Sequence, residues 1–203
     1  MMSCHLSSQS RTRSSPVNAP ELCLDRFRPL LRLQVRQLQI GRLYRARFDS
    51  SDVVQEALVR AVRGLDEVRG RDEPQFVRWL QKIVRNAFFD LLREHDADMR
   101  DPRLEQTIQD AVGEEDTPLA AYLTAVQPGA STLTTRSEEL LRLAAAMDQL
   151  PAAERDAVIA HFILELPLAE AAVRLGRTVK GVAGLLFRGK ARLRTLLANE
   201  GAE

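Results

Sequence analysis

The side chains in this sequence best suited to chemistry are clusters of cations. Between Arg174 and Arg194 there are seven basic residues and no acidic one. The chain of 203 residues has a net charge of only +1, which excludes a uniformly basic coat that would bind nucleic acid everywhere. Segregation of charge into one short stretch therefore predicts a local contact with a polyanion.

The same stretch has the pattern of two helices joined by a tight turn. Pro167 opens a helix that ends at Gly176, and Thr178 caps a longer basic helix that extends to about Asn199. Helix-turn-helix proteins use this arrangement to place the second helix in the major groove of DNA. Each glycine inside that helix costs about 1 kcal/mol relative to alanine, which close approach to a neighbouring helix or to a phosphate backbone would explain. The glycines are Gly181, Gly184 and Gly189.

A second cationic face is predicted on a helix that starts at Pro74. Apolar residues recur on one side at helical spacing: Phe76, Leu80, Ile83, Ala87 and Leu91. The opposite side carries mainly basic residues: Arg78, Lys82, Arg85, Phe89 and Arg93. A simple core helix does not require such a polar face.

The helix before it is also amphipathic. Asp49 or Ser50 can cap its start, and Asp52 then lies in the positive first turn. The inward stripe consists of Val54, Leu58, Ala61 and Leu65. The residues that lie away from it are Asp52, Gln55, Glu56, Arg60 and Arg63.

No catalytic centre is visible in the sequence. There is no nucleophile–base pair, no phosphate-cradling glycine loop and no set of metal ligands. His95 with Asp96 and Asp98 is better explained as a capped helix end, and His161 as a histidine at the edge of the core. We therefore expect a protein that is not an enzyme and that needs no cofactor or metal.

The cysteines and the N-terminus bear on the cellular compartment. Cys4 and Cys23 come without a second pair, so they imply neither a disulfide framework nor a zinc site. No apolar run approaches the roughly 20 residues of a membrane span. The Ser/Arg-rich N-terminus lacks the apolar segment of a secretory signal. We expect a cytoplasmic protein without membrane contact.

The composition, rich in Leu, Ala and Arg, predicts an all-α fold. We divide it into a disordered extension (1–20), an N-terminal helical domain (21–95), a flexible acidic linker (96–134) and a C-terminal helix-turn-helix domain (135–203). In the first domain, Pro29 starts or kinks a helix that Gly41 ends. In the second, Thr135 and Glu138 form a capping box for a helix through Gln149, and Pro151 opens the next one, which ends near Glu165.

Several motifs in order resemble those of bacterial RNA polymerase sigma factors. The run from Asp52 to Glu56, DVVQE, is similar to the family's DLVQE-type signature. The run from Phe76 to Arg93 resembles its F-x-x-W-L-x-x-I-x-x-N-x-x-x-D-x-x-R pattern, and Leu150-Pro151 followed by Arg155 resembles its LP-x-x-x-R motif. Two domains with a short acidic linker are the layout of the extracytoplasmic-function (ECF) subfamily. The similarity covers about residues 21–95 and 136–197.

The resemblance implies a sigma factor that binds core polymerase, directs promoter-specific initiation and melts promoter DNA without performing chemistry itself. The helix that carries the DVVQE motif would dock on the clamp coiled coil of the β-prime subunit. The residues expected there are Asp52, Val53, Gln55 and Glu56. The β flap of the polymerase is expected to be a second contact, and an anti-sigma factor is a further candidate partner.

The resemblance also implies two contacts with promoter DNA. The loop and helix after the docking helix would hold the melted minus-ten element, since cations neutralise phosphates and aromatic rings stack on unpaired bases. The residues expected there are Arg69, Arg71, Arg78, Trp79, Lys82, Arg85, Asn86, Phe89 and Arg93. The helix-turn-helix would bind the minus-thirty-five element through Arg177, Thr178, Lys180, Gly181, Val182, Gly184, Arg188 and Lys190. Because Lys180–Leu185 replaces a more polar G-T-V-K-S-R run, we expect fewer bidentate base contacts and more dependence on phosphates and DNA shape.

Other interpretations stay open from sequence alone. Trp79 is as well explained by the core as by DNA, and Phe89 could pack on a neighbouring helix. The basic residues near Arg188 could be a solvated helix end, although no acid lies nearby in the sequence. A free-standing helix-turn-helix regulator would explain the C-terminal domain but not the Phe48–Arg93 unit. An enzyme with an unrecognised site on a helical bundle is the third alternative.

Overall fold

The computed structural model describes residues 24–41, 49–68, 73–97 and 130–200. Within these ranges all regular secondary structure is helical. The α-helices are α1 (Arg28–Gly41), α2 (Ser50–Gly64), α3 (Glu73–Ala97), α4 (Ala130–Asp148), α5 (Ala152–Val158), α6 (Leu168–Leu175) and α7 (Val179–Glu200). Two 3₁₀ turns, Asp25–Phe27 and Leu65–Val68, and a π-helical turn, Ile159–Ile163, complete the elements. None of the described helices is long and apolar enough to cross a membrane.

Most helix boundaries lie where the turn chemistry predicts them. Pro29 is in the first turn of α1, where its missing N–H is not needed, and α1 ends at Gly41. The side chain of Asp49 caps α2. Gly176 ends α6 in the left-handed conformation, with φ 61°.

The start of α4 differs from the prediction. The helix begins at Ala130, so Thr135 lies inside it and does not cap it. The residues just before Ala130 are Pro128 and Gly129, and no further proline or glycine follows until Pro151, so the sequence contains no breaker at Thr135. The last five residues of the expected linker, 130–134, therefore belong to α4. The rest of that linker from residue 98, and the expected N-terminal extension, lie outside the described residues.

Helices α1, α2 and α3 pack pairwise into an N-terminal unit. Its centre is apolar and closed to solvent, with Leu30, Leu31, Leu80 and Phe88 among the largest fully buried side chains. Gln34 of α1 is also buried and donates a hydrogen bond from Nε2 to the carbonyl of Gln81 in α3, at 3.0 Å. That bond ties the two helices at one register, because a buried amide needs its partner.

Helix α7 is the organising element of the C-terminal unit, where it packs against α5, α6 and α4. The two units also contact one another, mainly through α1 and α4. Arg32 of α1 forms an ion pair with Asp148 at the end of α4, and Arg174 of α6 donates to the carbonyl of Ile40 at 3.4 Å. A cleft of about 190 Å³ lies between the units, lined by α1, the start of α2, α4 and α5.

Candidate functional site

The start of α2 is fixed by its N-cap. The Asp49 carboxylate accepts a hydrogen bond from the Ser51 N–H at 3.2 Å. This hydrogen bond lowers the pKa of Asp49 below its ordinary value of 3.8. Because the helix begins at Ser50, Asp52 lies in the first turn, where the helix dipole favours a negative charge.

Three of the four residues predicted to dock on polymerase are accessible on α2. Asp52 and Gln55 are exposed, and Glu56 is half-buried. Gln55 accepts a hydrogen bond from Arg28 at 3.1 Å, and Glu56 accepts one from Arg60 at 2.9 Å. Both side chains are therefore held in place by cations of the N-terminal unit itself.

Val53 does not belong to that surface. Its side chain is fully buried in the core of the N-terminal unit. The i, i+3, i+4 geometry of a helix places Val53 on the same side as Ala57 and away from Gln55. The prediction that Val53 contacts a partner was wrong, because residue 53 faces the opposite side of the helix from the rest of the signature.

Residues beyond the predicted docking set continue this surface. Val59 and Val62 are exposed, four and seven residues after Gln55, and Arg63 is exposed seven residues after Glu56. We name the resulting surface the α2 face, which consists of Asp52, Gln55, Glu56, Val59, Val62 and Arg63. Its acids, apolar groups and base follow one another along the helix axis. The same helical spacing that defines the core stripe would have predicted this extension.

The cationic residues of α3 form a second surface, which we name the α3 basic face. It consists of Arg78, Lys82, Arg85, Asn86 and Arg93. All are exposed except Arg85, which is half-buried. Arg93 pairs with Asp90 at 2.8 Å, and the same carboxylate accepts from Arg60 of α2 at 2.5 Å. Asp90 thus connects the α3 basic face to the helix that carries the α2 face.

Phe89 is absent from the α3 basic face. Only 3% of the residue is exposed, and its ring packs edge-on against Phe88 with ring centroids 5.4 Å apart. Helix α3 contacts α4 as well as α1 and α2, so it has buried surface on more than one side. The prediction of a DNA contact for Phe89 was wrong, and the alternative, packing on neighbouring helices, is correct.

Trp79, in the second turn of α3, lies against the C-terminal end of α2. Its ring is half-buried, 5.6 Å from the ring of Phe76. A Cβ atom on Gly64 would lie 3.1 Å from the Trp79 ring, so the glycine at the end of α2 leaves room for the indole. The indole is thus shared between the core and the surface. Arg69 and Arg71, predicted beside it, lie outside the described residues.

The turn before α7 is built from two local hydrogen-bond motifs. Gly176 adopts φ 61°, and the Arg177 N–H donates to the carbonyl of Ala172 at 2.9 Å, which is the pairing of a Schellman motif. The Thr178 hydroxyl then accepts from the Gly181 N–H at 3.0 Å. Both motifs confirm the turn and the cap that the sequence predicts.

The exposed residues near the start of α7 match most of the predicted set. Arg177, Thr178, Lys180 and Gly181 are exposed, and Gly184 is half-buried. Val182 is fully buried and packs in the core, so its predicted DNA contact was wrong. It lies on the side of α7 that also carries the buried Leu186, four residues later.

Phe187 is the most exposed large apolar residue described, at 77%. It follows Lys180 by seven residues and Gly184 by three, so it shares their side of α7. It belongs to none of the predicted site sets. A signal was available in the sequence: Phe187 follows a lysine by seven positions on the same predicted helix, with small residues between them. This spacing places the ring on the same side as Lys180.

The two flanks of α7 are held differently. On one, the Lys190 ammonium lies 5.4 Å from the centre of the Phe162 ring. On the other, Arg188 and Arg192 contact Glu154 of α5, with Nε–Oε distances of 3.5 Å and 3.0 Å. The fold therefore brings an acid to the basic run, which the sequence had suggested was free of one.

The remaining candidates behave as structural residues. Among the described residues no group of three or more His, Cys, Asp or Glu side chains could hold a metal ion. The side chains of His95, Asp96 and Asp98 lie outside the described residues. His161 is half-buried, and its Nδ1 lies 2.9 Å from the Leu166 carbonyl, which confirms its prediction as a histidine at the core edge.

Comparisons with known proteins match both units. Residues 24–97 match the family model for sigma-70 region 2, and residues 140–193 match that for sigma-70 region 4. The RNA polymerase sigma factor CnrH of Cupriavidus metallidurans is 32% identical over 149 residues, which is 73% of each chain. The chain belongs to the sigma factor family.

A second relative specifies the subfamily. The ECF RNA polymerase sigma factor SigM of Bacillus subtilis is 27% identical over 148 residues, covering 72% of this chain and 78% of that one. Together with the two sigma-70 regions, this identifies the chain as an ECF sigma factor. Sigma factors of this kind bind core RNA polymerase and promoter DNA, and the chain's function is promoter-specific initiation of transcription.

Among solved structures, the sigma factor RpoE in complex with the anti-sigma factor NepR from Bartonella quintana is similar to this chain. It is 23% identical and covers 83% of this chain and 93% of that one, with a TM-score of 0.33. The match of region 2 to α1–α3 is what decides against a free-standing helix-turn-helix regulator, which would leave those helices without a role.

Proposed function

We propose that this sigma factor divides its work among three helix faces. The α2 face docks on the clamp coiled coil of the β-prime subunit. The α3 basic face holds the melted minus-ten element, with Trp79 at its edge. The start of α7 enters the major groove at the minus-thirty-five element through Arg177, Thr178, Lys180, Gly181, Gly184 and Phe187, while Arg188 and Lys190 contact phosphates.

The observation that carries this proposal is the separation of the three faces by charge. The α2 face begins with two acids, Asp52 and Glu56, whereas the α3 basic face holds four cations and an asparagine. A carboxylate face repels DNA and suits a basic protein partner, and a cationic face does the opposite. The chain itself performs no chemistry in this proposal, and it works in the cytoplasm, on the nucleoid when it is bound to polymerase.

Phe187 adds a specific element to the minus-thirty-five contact. An exposed ring on a helix in the major groove can pack on a thymine methyl group, which is an apolar base contact. Gly181 and Gly184 lie on the same stretch of α7. Because glycine has no side chain, DNA can approach the helix backbone closely there. These features favour a shape-based and methyl-based contact over bidentate hydrogen bonds.

The decisive test is co-purification of tagged full-length chain with bacterial core polymerase. The variant is Gln55→Ala/Glu56→Ala, and we expect at least about 30-fold weaker binding, since two contacts near a docking centre are worth roughly 2 kcal/mol. Glu138→Ala/Glu139→Ala is the matched control, because it removes two exposed polar side chains from α4. If core polymerase retains both variants equally, the proposal that the α2 face docks on polymerase is wrong.

A further variant tests the part of the α2 face that the sequence did not predict. Val59→Asp/Val62→Asp leaves the signature intact but places charge on the exposed apolar groups. We expect the same loss of polymerase as for the first variant, in a chain that still unfolds cooperatively. If binding is retained, the docking surface ends at Glu56.

A further inference from the structure

Glu154 is the one charged residue that is buried in the described part of the chain, with 5% of the residue exposed. It lies in the first turn of α5, beneath α7. A buried carboxylate without a partner is strongly destabilising, so it is retained only where cations compensate it. The cations that do so here belong to the proposed DNA-binding helix.

Two arginines one helical turn apart on α7 supply that compensation. The Nε atoms of Arg188 and Arg192 lie 3.5 Å and 3.0 Å from the two carboxylate oxygens of Glu154. Glu154 Oε2 nevertheless has no directed hydrogen bond, so the contact with Arg192 is ionic. The arginine side chains remain 57% and 58% exposed, which leaves guanidinium donors facing solvent.

The close approach of α5 and α7 at this point depends on Gly189. A Cβ atom there would lie 3.1 Å from Val158 Cγ2 and 3.4 Å from the Glu154 carbonyl oxygen. The glycine lets α5 pack directly between the two arginines. Glu154 is thus placed by the backbone of both helices, and its position does not depend on a flexible surface side chain.

We propose that Glu154 is a positioning residue for promoter recognition, which restrains Arg188 and Arg192 so that α7 distinguishes promoter from bulk DNA. This inference rests on the proposed role of α7. Phosphate contacts by free cations carry no sequence information and supply nearly all of non-specific binding. A carboxylate between two arginines offsets one of their two charges, so Arg192 is withheld from phosphates while Arg188 still contacts them. The exposed residues at the start of α7 remain free to read bases.

A purely structural role for Glu154 has a different signature. If the ion pairs only fasten α5 to α7, loss of the carboxylate lowers the melting temperature and weakens all DNA binding together. If Glu154 positions and restrains the arginines, its loss strengthens non-specific binding while promoter preference falls. The ratio of promoter to non-promoter affinity and its salt dependence separate the two.

The experiment uses holoenzyme assembled from the full chain and core polymerase, with promoter duplex and a scrambled duplex as ligands over a range of salt concentrations. For Glu154→Gln we expect scrambled-duplex affinity to rise about threefold to tenfold, with a salt slope steeper by about 1, because one more phosphate contact becomes available. Promoter preference should fall by the same factor. Glu170→Gln is the matched control, since it makes the same charge change and breaks the Arg174 ion pair on α6.

A second pair of variants leaves Glu154 in place, so a folding defect cannot obscure the answer. Arg192 is paired with Glu154, whereas Arg194 is exposed and lies beyond that contact. We expect Arg194→Gln to weaken scrambled-duplex binding about threefold, and Arg192→Gln to leave it nearly unchanged. In the double variant Glu154→Gln/Arg192→Gln, non-specific affinity should return to the wild-type value.

The outcomes separate the inference from the proposed function. If wild-type holoenzyme shows no dependence on the minus-thirty-five element, the role of α7 is wrong. If wild type shows that dependence and Glu154→Gln keeps the full wild-type promoter preference, or if the Arg192 and Arg194 variants behave alike, the role of Glu154 is wrong. A parallel loss of both DNA affinities with a lower melting temperature would assign Glu154 to structure alone.

Discussion

Two phenylalanines show how differently α3 and α7 are built. Phe89 lies among the cations of α3 in sequence but is buried, whereas Phe187 lies among the small and basic residues of α7 and is 77% exposed. Helix α3 is contacted by α1 and α2 and also by α4. The Phe187 side of α7 is left open to solvent. Aromatic residues between cations therefore do not by themselves predict a nucleic-acid surface, because the neighbouring helices decide which face stays open.

The comparison of these rings predicts the largest effect. Phe89→Ala should lower the free energy of unfolding by about 3–5 kcal/mol, since it empties a buried aromatic site. Phe187→Ala should change stability by less than about 0.5 kcal/mol, because the ring is exposed. Urea unfolding of the two variants checks this directly. Holoenzyme with Phe187→Ala should bind the minus-thirty-five element about fivefold to tenfold more weakly, which corresponds to about 1–1.4 kcal/mol.

If both variants unfold like the wild type, the burial of Phe89 is wrong and its place on the α3 basic face is restored. If Phe187→Ala binds promoter DNA normally, the open side of α7 does not reach the major groove.

The next largest predicted effect is on stability, and it compares two glycines that lie on different sides of α7. At Gly189 an added Cβ would meet Val158 and the Glu154 backbone, whereas at Gly184 the nearest group is the flexible Arg188 guanidinium at 3.6 Å. Gly184→Ala should stabilise the fold by up to about 1 kcal/mol through helix propensity. Gly189→Ala should lack that gain and cost about 1 kcal/mol or more through overpacking.

Thermal unfolding of the two glycine variants in parallel measures the difference, with the wild type as the common reference. Equal stabilisation at both positions would mean that α5 and α7 are further apart than the Glu154 contacts require.

The smallest predicted effect is on the pH dependence of stability. It compares one aspartate from each unit, Asp49 and Asp156. The hydrogen bond from Ser51 lowers the pKa of Asp49, and burial raises the pKa of Asp156, in both cases from 3.8. The stabilisation from Asp49 is present above that value and is lost as pH falls through its folded-state pKa. The contribution of Asp156 has the opposite sign: it is favourable below 3.8 and is lost as pH rises through its raised folded-state pKa.

Melting temperatures of Asp49→Asn and Asp156→Asn, followed between about pH 3 and pH 7, test these signs. Relative to wild type, Asp49→Asn should lose less stability on acidification, and Asp156→Asn should lose less as pH rises. Curves parallel to the wild type would show that neither carboxyl has a shifted pKa in the folded chain.

Local chemistry explains which parts of this fold could be predicted from sequence. The Asp49 cap, the Gly176 turn, the Thr178 cap and the helix that starts near Pro29 each depend on residues within one helical turn, and all were predicted. The exposed signature residues of α2 followed from helical spacing as well. Val53 and Val182 were misassigned because a motif was treated as a surface, although half of any amphipathic helix faces inward.

Contacts between distant residues account for the rest. The burial of Phe89 depends on helices that pack around α3, and the pairing of Glu154 with Arg188 joins residues separated by two intervening elements. No periodicity within one helix encodes such contacts. The early start of α4 is different, because the absence of a breaker after Gly129 was visible and a capping box was given more weight.

The packing of α1 against α4 has a consequence for the order in which the chain acquires its structure during synthesis. Arg32 and Asp148 are 116 residues apart. At a ribosomal rate of about 5–20 residues per second, roughly 6–23 s pass between the synthesis of α1 and the synthesis of the end of α4. During that interval the side of α1 that later contacts α4 stays uncovered. The nascent N-terminal unit therefore presents to chaperones a surface of α1, including Arg32, that α4 covers in the finished protein.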